Sequence, residues 1–232
     1  MCGEVPERCT PSHIDAFEDI EPHATALVEA GTESIEPYQA LQCYYLGRGL
    51  YRQAFQWAER AIAFSIATSG PDSEQTAYFH KQAGERALLA GMAGEALGHL
   101  EQAYGILEGR PASELLANVL IILAAAQRGL GDIDSAEATV EKAIELANQY
   151  FSMDSLEMAD AKLTLVTTRY VRLRQQGEPS DEDLEALEAQ AQEVLELRER
   201  HSPEDGSTQA EAINILAKIC ELREDDDRAV QL

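Results

Sequence analysis

The chain is poor in aromatic residues, in basic residues and in long apolar runs. Only 6% of its 232 residues are aromatic, and clusters of β-branched residues are scarce, which argues against a fold built on sheets. Lys and Arg total 18 against 42 Asp and Glu, so the formal net charge is -24. A chain this acidic is a poor match for nucleic acid or for an anionic membrane surface as the main partner.

Cysteine is scarce as well. Cys2, Cys9, Cys43 and Cys220 form no CxxC pair, and no histidine lies at metal-ligand spacing from any of them. No apolar run approaches the roughly 18 residues of a membrane span, and the first residues lack the apolar core of a signal peptide. We therefore expect reduced thiols, a cytoplasmic location, no membrane association, and no metal or other cofactor.

What the chain does contain is an alanine-rich repeat. Segments 48–62, 90–104 and 130–144 align, and each begins at a glycine turn followed by small or apolar residues 5, 9 and 12 positions later. Spacings of four and three place these residues on one face of a helix, where a neighbouring helix can approach closely. The nine packing positions are Ala54, Ala58, Ala61, Ala96, Leu100, Ala103, Ala136, Val140 and Ala143.

Helix starts recur too. Ser73, Ser113 and Ser155 follow helix-breaking residues and are predicted N-caps, and Ser180 with Asp183 forms a predicted capping box. The predicted helix pairs are 36–47 with 52–68, 73–90 with 94–108, 113–128 with 134–150, and 154–176 with 180–200.

These pairs define the expected organisation of the chain. We predict a disordered N-terminus over residues 1–11, capping helices over 12–35, four helix pairs over 36–206, an unpaired helix over 207–223 and an acidic disordered tail over 224–232.

With its glycine between two helices and its alanines on the second, the repeat resembles the tetratricopeptide repeat (TPR). The period of 40–42 residues, with segments 70–77 and 202–210 between units, is similar to the long repeats of kinesin light chains and of the repeat arrays in NB-ARC/STAND signalling ATPases. The resemblance implies an all-α, right-handed superhelical solenoid of antiparallel helix pairs. Two departures are His80 at a position often occupied by Trp, and the lack of a P-loop motif.

The resemblance also implies a binding surface. In TPR arrays the first helix of each pair lines a concave groove that binds a peptide segment of a partner protein. Carried onto this sequence, the groove residues are Gln39, Tyr78, Lys81, Glu85, Leu88, Asn118, Ile121 and Arg128.

A basic patch formed by Lys162, Arg169, Arg172 and Arg174 stands out from the acidic background. One interpretation is that Arg169, Arg172 and Arg174 pair with the acidic helix predicted at 180–200. The other adds Arg169 and Arg172 to the partner-binding residues as a clamp for carboxylate or phosphate, which suits the planar guanidinium.

Nothing in the pattern predicts an enzyme. The five histidines fall in different segments with no pair at i, i+4, and no GxSxG motif is present. We predict a non-catalytic TPR scaffold or adaptor that binds another protein or peptide. Residues 178–232 carry 17 Asp and Glu against 5 Lys and Arg, which is either a solvated surface or a docking surface for a basic partner.

Two other functions stay open. One is a regulatory sensor whose groove binds a small molecule or a signalling peptide. The other is a self-assembling unit that forms a homodimer through the last helix, where Ile213, Leu216, Ile219 and Leu222 share one face.

Overall fold

The computed structural model describes residues 21–177, 179–201 and 206–223, and this part of the chain is helical with short connections. The helices are α1 (Glu21–Glu29), α2 (Glu36–Gly47), α3 (Tyr51–Ser69), α4 (Glu74–Leu89), α5 (Ala93–Leu107), α6 (Glu114–Gly129), α7 (Ile133–Tyr150), α8 (Leu156–Gln176), α9 (Asp181–His201) and α10 (Gly206–Leu222). From α2 to α10 the bounds agree with the predicted helices to within two residues. The predicted disordered ends and residues 12–20 of the predicted caps lie outside the described residues.

The chain divides into two compact units. Unit 1 lies within Met1–Arg110 and unit 2 within Pro111–Leu232. In unit 1, α2 packs on α3, α3 on α4 and α4 on α5, while α1 packs on α2. In unit 2, α6 packs on α7, α7 on α8, α8 on α9 and α9 on α10. Each unit is therefore a stack of helix pairs, as the repeat predicts.

Small side chains form the contacts between paired helices. All nine packing positions predicted from the repeat have no solvent exposure: Ala54, Ala58, Ala61, Ala96, Leu100, Ala103, Ala136, Val140 and Ala143. Their complete burial confirms that the alanine pattern marks the inner face of α3, α5 and α7.

The predicted helix starts are confirmed by hydrogen bonds. The Oγ atoms of Ser73, Ser113 and Ser155 each accept a hydrogen bond from the backbone N–H three residues later, at 3.1 to 3.2 Å. Ser180 and Asp183 exchange the two side chain–backbone bonds of a capping box, at 3.2 and 3.3 Å. These bonds satisfy N–H groups that have no partner inside the helix.

One position shows how closely the paired helices approach. A Cβ atom added to Gly84 in α4 would lie 2.5 Å from Cγ of Leu100 in α5. Gly84 stands seven residues before the turn glycine Gly91, and Gln42 stands seven before Gly49. Gln42 is only 1% exposed, and among the residues that the structure describes neither its Nε2 nor its Oε1 has a hydrogen-bond partner.

Helix α10 completes the core of unit 2. Leu216 and Ile219 are 2% and 0% exposed within a cluster formed by α8, α9 and α10, and Ile213 and Leu222 pack against that cluster. The apolar face that was the basis of the homodimer hypothesis is therefore covered by the chain's own helices.

The structure also bears on the expected state of the cysteines and on membrane-spanning helices. Among the described cysteines, Cys220 is buried and is not part of a disulfide. Cys43 is disulfide-bonded, so the expectation of reduced thiols is wrong at this position. In the described part of the chain, no helix combines the length and apolarity needed to cross a membrane.

Replacing Gly84 with Ala is expected to destabilise the protein by about 1–3 kcal/mol, because the added methyl overlaps Leu100. Gly98→Ala is the matched control: a Cβ there meets nothing within 4 Å, so better helix propensity should stabilise by about 0.5–1 kcal/mol. Urea denaturation followed by circular dichroism measures both. Equal effects of the two substitutions would contradict the close contact.

The buried position of Ile219 predicts that Ile219→Ala costs about 2–5 kcal/mol of unfolding free energy and leaves the molecular mass in solution unchanged. Glu221→Ala, at an exposed position of the same helix, should stay within about 0.5 kcal/mol of the wild type. Light scattering at several concentrations decides the second point. A wild-type mass that rises with concentration and falls in Ile219→Ala would restore the homodimer hypothesis.

Candidate functional site

In unit 1, one face of α4 is left uncovered by the neighbouring helices. Tyr78, Lys81, Glu85 and Leu88 are each partly exposed, and we call these four residues the α4 stripe. The buried side of the same helix consists mainly of small or apolar residues: Gly84 is buried, and four others have exposures of at most 1%, namely Ala77, Phe79, Ala83 and Ala87. The spacing of 3, 4 and 3 residues aligns the stripe along the helix.

The α4 stripe combines four kinds of side chain. Tyr78 Oη accepts a hydrogen bond from Gln82 Nε2 at 2.8 Å, and Lys81 Nζ lies 5.4 Å from the centroid of the Tyr78 ring. Glu85 pairs with Arg86 at 2.6 Å and keeps 42% of its side chain exposed. An aromatic face, a cation, a carboxylate and the aliphatic Leu88 are therefore presented together. Gln39, the predicted groove residue of α2, is partly exposed as well.

In unit 2, the predicted groove residues of α6 differ in exposure. Asn118 and Arg128 are partly exposed, whereas Ile121 is only 6% exposed and belongs to the core. Burial lowers the pKa of the Arg128 guanidinium, and the charge of Glu211 partly opposes this shift. The Nε atom of Arg128 is buried without a hydrogen-bond partner. Arg128 is thus a partly desolvated cation.

Arg169 and Arg172 are held by carboxylates of α7. Arg169 pairs with Glu137 at 3.1 Å and with Glu141 at 3.2 Å. Arg172 pairs with Glu137 at 2.7 Å and with Asp134 at 3.0 Å. The interpretation that these two cations pair with the helix at 180–200 is therefore wrong about the partner: that helix, α9, supplies Arg169 with the amide oxygen of Gln190 at 3.4 Å.

The other two cations of the basic patch also have partners. Lys162 Nζ donates to Glu193 of α9 at 2.6 Å. The guanidinium of Arg174 lies over the ring of Tyr170, 5.9 Å from its centroid.

A small open cavity lies beside Arg172 in unit 2. Its volume is about 240 Å³, and its wall consists of residues from the α6–α7 turn, the start of α7 and the end of α8: Gly131, Asp132, Ile133, Asp134, Arg172, Gln175 and Gln176. Sites for drug-sized ligands are usually larger, about 300–1,000 Å³, and more apolar. The cavity therefore gives little support to a small-molecule sensor.

Sequence reasoning missed a histidine pair in unit 1. His80 of α4 and His99 of α5 bring their Nδ1 atoms to 3.1 Å, and Phe55 of α3 packs edge-on against His99 with ring centroids 5.5 Å apart. Burial lowers the pKa of His80 to about 4, and the nearby His99 adds to this shift. Burial also lowers the pKa of His99, against the attraction of Glu59. Both rings are therefore neutral at pH 7, and one Nδ1–H donates to the other Nδ1.

Known proteins resemble this chain in structure and not in sequence. No family model matches it, and no curated protein matches its sequence. Among solved structures, BtubC (BKLC) from P. vanneervenii has a TM-score of 0.66 at 16% identity, covering 94% of this chain and 85% of that one. A putative kinesin light chain with TPR-like repeats from Podosopora anserina has a TM-score of 0.56 at 12% identity, covering 96% and 92%.

A third similar structure is a Rap protein complexed with competence and sporulation factor. Its TM-score is 0.71 at 16% identity, and the match covers 96% of this chain but 57% of the Rap protein. The chain therefore has the all-helical fold of TPR-like repeat proteins, the fold that its repeat predicts.

The histidine pair makes stability depend on pH. The pKa of His80 is about 4 in the folded protein, against about 6.5 in an unfolded chain, so the folded state disfavours the protonated ring. The stabilisation from neutral His80 is complete above pH 6.5 and is lost as the pH falls toward 4. We expect urea denaturation to show a larger loss of stability between pH 7.5 and 5 for the wild type than for His80→Gln. The same loss in both proteins would contradict the assignment.

Proposed function

We propose that the protein is a non-catalytic interaction module that binds a segment of another protein along the exposed faces of its first helices. In unit 1 the contact surface is the α4 stripe together with Gln39. In unit 2 the corresponding candidates are Asn118 and Arg128. Its role is to hold a partner in a scaffold or adaptor.

The observation that carries this proposal is the continuous exposure of the α4 stripe beside a fully packed inner face. Helix α4 packs on α3 and α5 and leaves one row of aromatic, charged and aliphatic side chains partly exposed, which is the mixed chemistry of a protein-binding surface. Tyr78 offers a large, stiff contact area, and Lys81 and Glu85 offer charges of both signs to an extended or helical segment.

The ion pairs of unit 2 assign a different role to Arg169 and Arg172. Each guanidinium already contacts carboxylates of α7, so a partner's carboxylate would have to displace them. We place these two residues in the support of the α7–α8 contact and leave the clamp hypothesis as the weaker proposal for them.

The likeness to the Rap protein favours a second candidate. That protein was solved with competence and sporulation factor, so a free signalling factor is an alternative occupant of the same surface here. In that case the module is a regulatory sensor, and the bound factor controls access of a further partner. A homodimer through α10 is the weakest alternative because its apolar face is covered.

The proposal predicts that Tyr78→Ala/Lys81→Ala/Glu85→Ala loses the partners that the wild type captures from a lysate of the organism the chain comes from. Tyr51→Ala/Arg52→Ala/Glu101→Ala is the matched control, since it removes one aromatic ring, one cation and one carboxylate from exposed positions of α3 and α5. The control should retain the partners. Cross-linking with mass spectrometry on the wild-type complex should place the captured segment against α4.

Three outcomes separate the alternatives. Partners captured equally by all three proteins contradict binding at the α4 stripe. Partners lost from both triple variants indicate a different surface or a folding defect, which circular dichroism distinguishes. A low-molecular-weight factor that is retained by the wild type, and whose removal changes which proteins are captured, favours the sensor.

A further inference from the structure

The imidazole rings of His80 and His99 face each other through their Nδ1 atoms. The two Nδ1 atoms are 3.1 Å apart, and the ring centroids are 5.3 Å apart. The ring centroids are farther apart than the nitrogens by nearly the sum of the centroid-to-nitrogen distances of two imidazole rings. The two Nδ1 atoms therefore point toward each other almost in line. Neither ring has another hydrogen bond among the described contacts, and both residues are partly exposed.

The helix backbones hold this pair in place. His80 lies one turn from Gly84, and His99 is adjacent to Leu100, the two residues whose contact sets the α4–α5 approach. The edge of the Phe55 ring restrains His99 from α3. The two imidazoles are therefore brought together by packing that does not depend on the hydrogen bond between them.

The number of protein ligands at the His80–His99 pair indicates which metal ion it suits. In the described part of the chain, no group of three or more His, Cys, Asp or Glu residues is placed to hold a metal. Zinc sites in proteins take three or four protein ligands, and calcium and magnesium prefer oxygen. Imidazole nitrogens suit copper, and the d¹⁰ copper(I) ion is satisfied by two neutral donors in line.

We propose that His80 and His99 form a two-coordinate copper(I) site, with one Nδ1 atom on each side of the ion. Two metal–nitrogen bonds of about 2 Å placed end to end span about 4 Å, so the nitrogens separate by slightly less than 1 Å from their present 3.1 Å. Rotation of two partly exposed side chains supplies this movement. The ring that carries the bridging proton on Nδ1 releases it to solvent and takes up a proton at Nε2, so both imidazoles remain neutral when the ion enters.

The surroundings favour a small cation. The carboxylate of Glu59 on α3 interacts favourably with positive charge at His99, and the chain as a whole carries a net charge of -24. The Phe55 ring packs against His99 in a T-shaped arrangement and occupies one side of that imidazole. The site does not depend on peptide binding by the α4 stripe, so the two proposals fail or succeed separately.

The test is an anaerobic titration of the full chain with copper(I) in competition with bicinchoninate, after alkylation of accessible thiols with N-ethylmaleimide. The wild type should bind one copper(I) that His80→Gln and His99→Gln bind at least tenfold more weakly. Glutamine retains a hydrogen bond to the remaining imidazole, and circular dichroism checks that each variant is folded. His23→Gln, at an exposed position of α1, is the control and should bind like the wild type.

X-ray absorption of the loaded wild type supplies a readout independent of the variants. Two nitrogen neighbours in a linear arrangement support the proposal. Sulfur neighbours, a coordination number of three or four, no binding above the alkylated background, or equal binding by the wild type and both glutamine variants would overturn it.

Discussion

The close contact of α-helices through alanine and glycine is the constraint on which the other features of this protein depend. Where Gly84 faces Leu100, no space remains for a Cβ atom, and the alanines at the packing positions of α3, α5 and α7 are fully buried. Small side chains at these points fix the distance between paired helices. That distance brings His80 to His99 and leaves the far side of α4 exposed. The packing of alanine and glycine thus positions the histidine pair and the exposed side chains of α4.

The sequence predicted the features that are local or periodic, and it missed those that arise between helices. Ser73, Ser113 and Ser155 predict helix starts because a capping side chain binds the backbone N–H three residues later. The alanine spacing predicts a buried face because a helix repeats every 3.6 residues. By contrast, His80 and His99 are 19 residues apart on different helices, beyond any search at helical spacing. The α4 stripe followed from the repeat, but its occupant is not encoded in helix geometry.

The ion-pair partners of Arg169 and Arg172 in unit 2 are another contact between helices that the sequence did not predict. The acidic segment beyond residue 178 made α9 the expected partner of Arg169 and Arg172, yet their carboxylates come from α7. Composition identifies an excess of charge, whereas the contact is decided by which helix faces which. Arg198 is only 4% exposed and pairs with Asp160 and Glu211 at 2.7 and 3.4 Å, so three helices meet at one guanidinium. Partly exposed pairs add little stability, and their value lies in fixing the register of neighbouring helices.

Gln42 distinguishes the α2–α3 helix pair from the α4–α5 pair. At the position where α4 has Gly84, α2 places a buried amide with no hydrogen-bond partner in the described part of the chain, a cost of about 1–3 kcal/mol relative to a satisfied group. Repeat arrays unfold from their weakest interface. The α2–α3 hairpin is therefore expected to open before the α4–α5 hairpin, so that amide protons of α2 exchange with solvent while those of α4 stay protected.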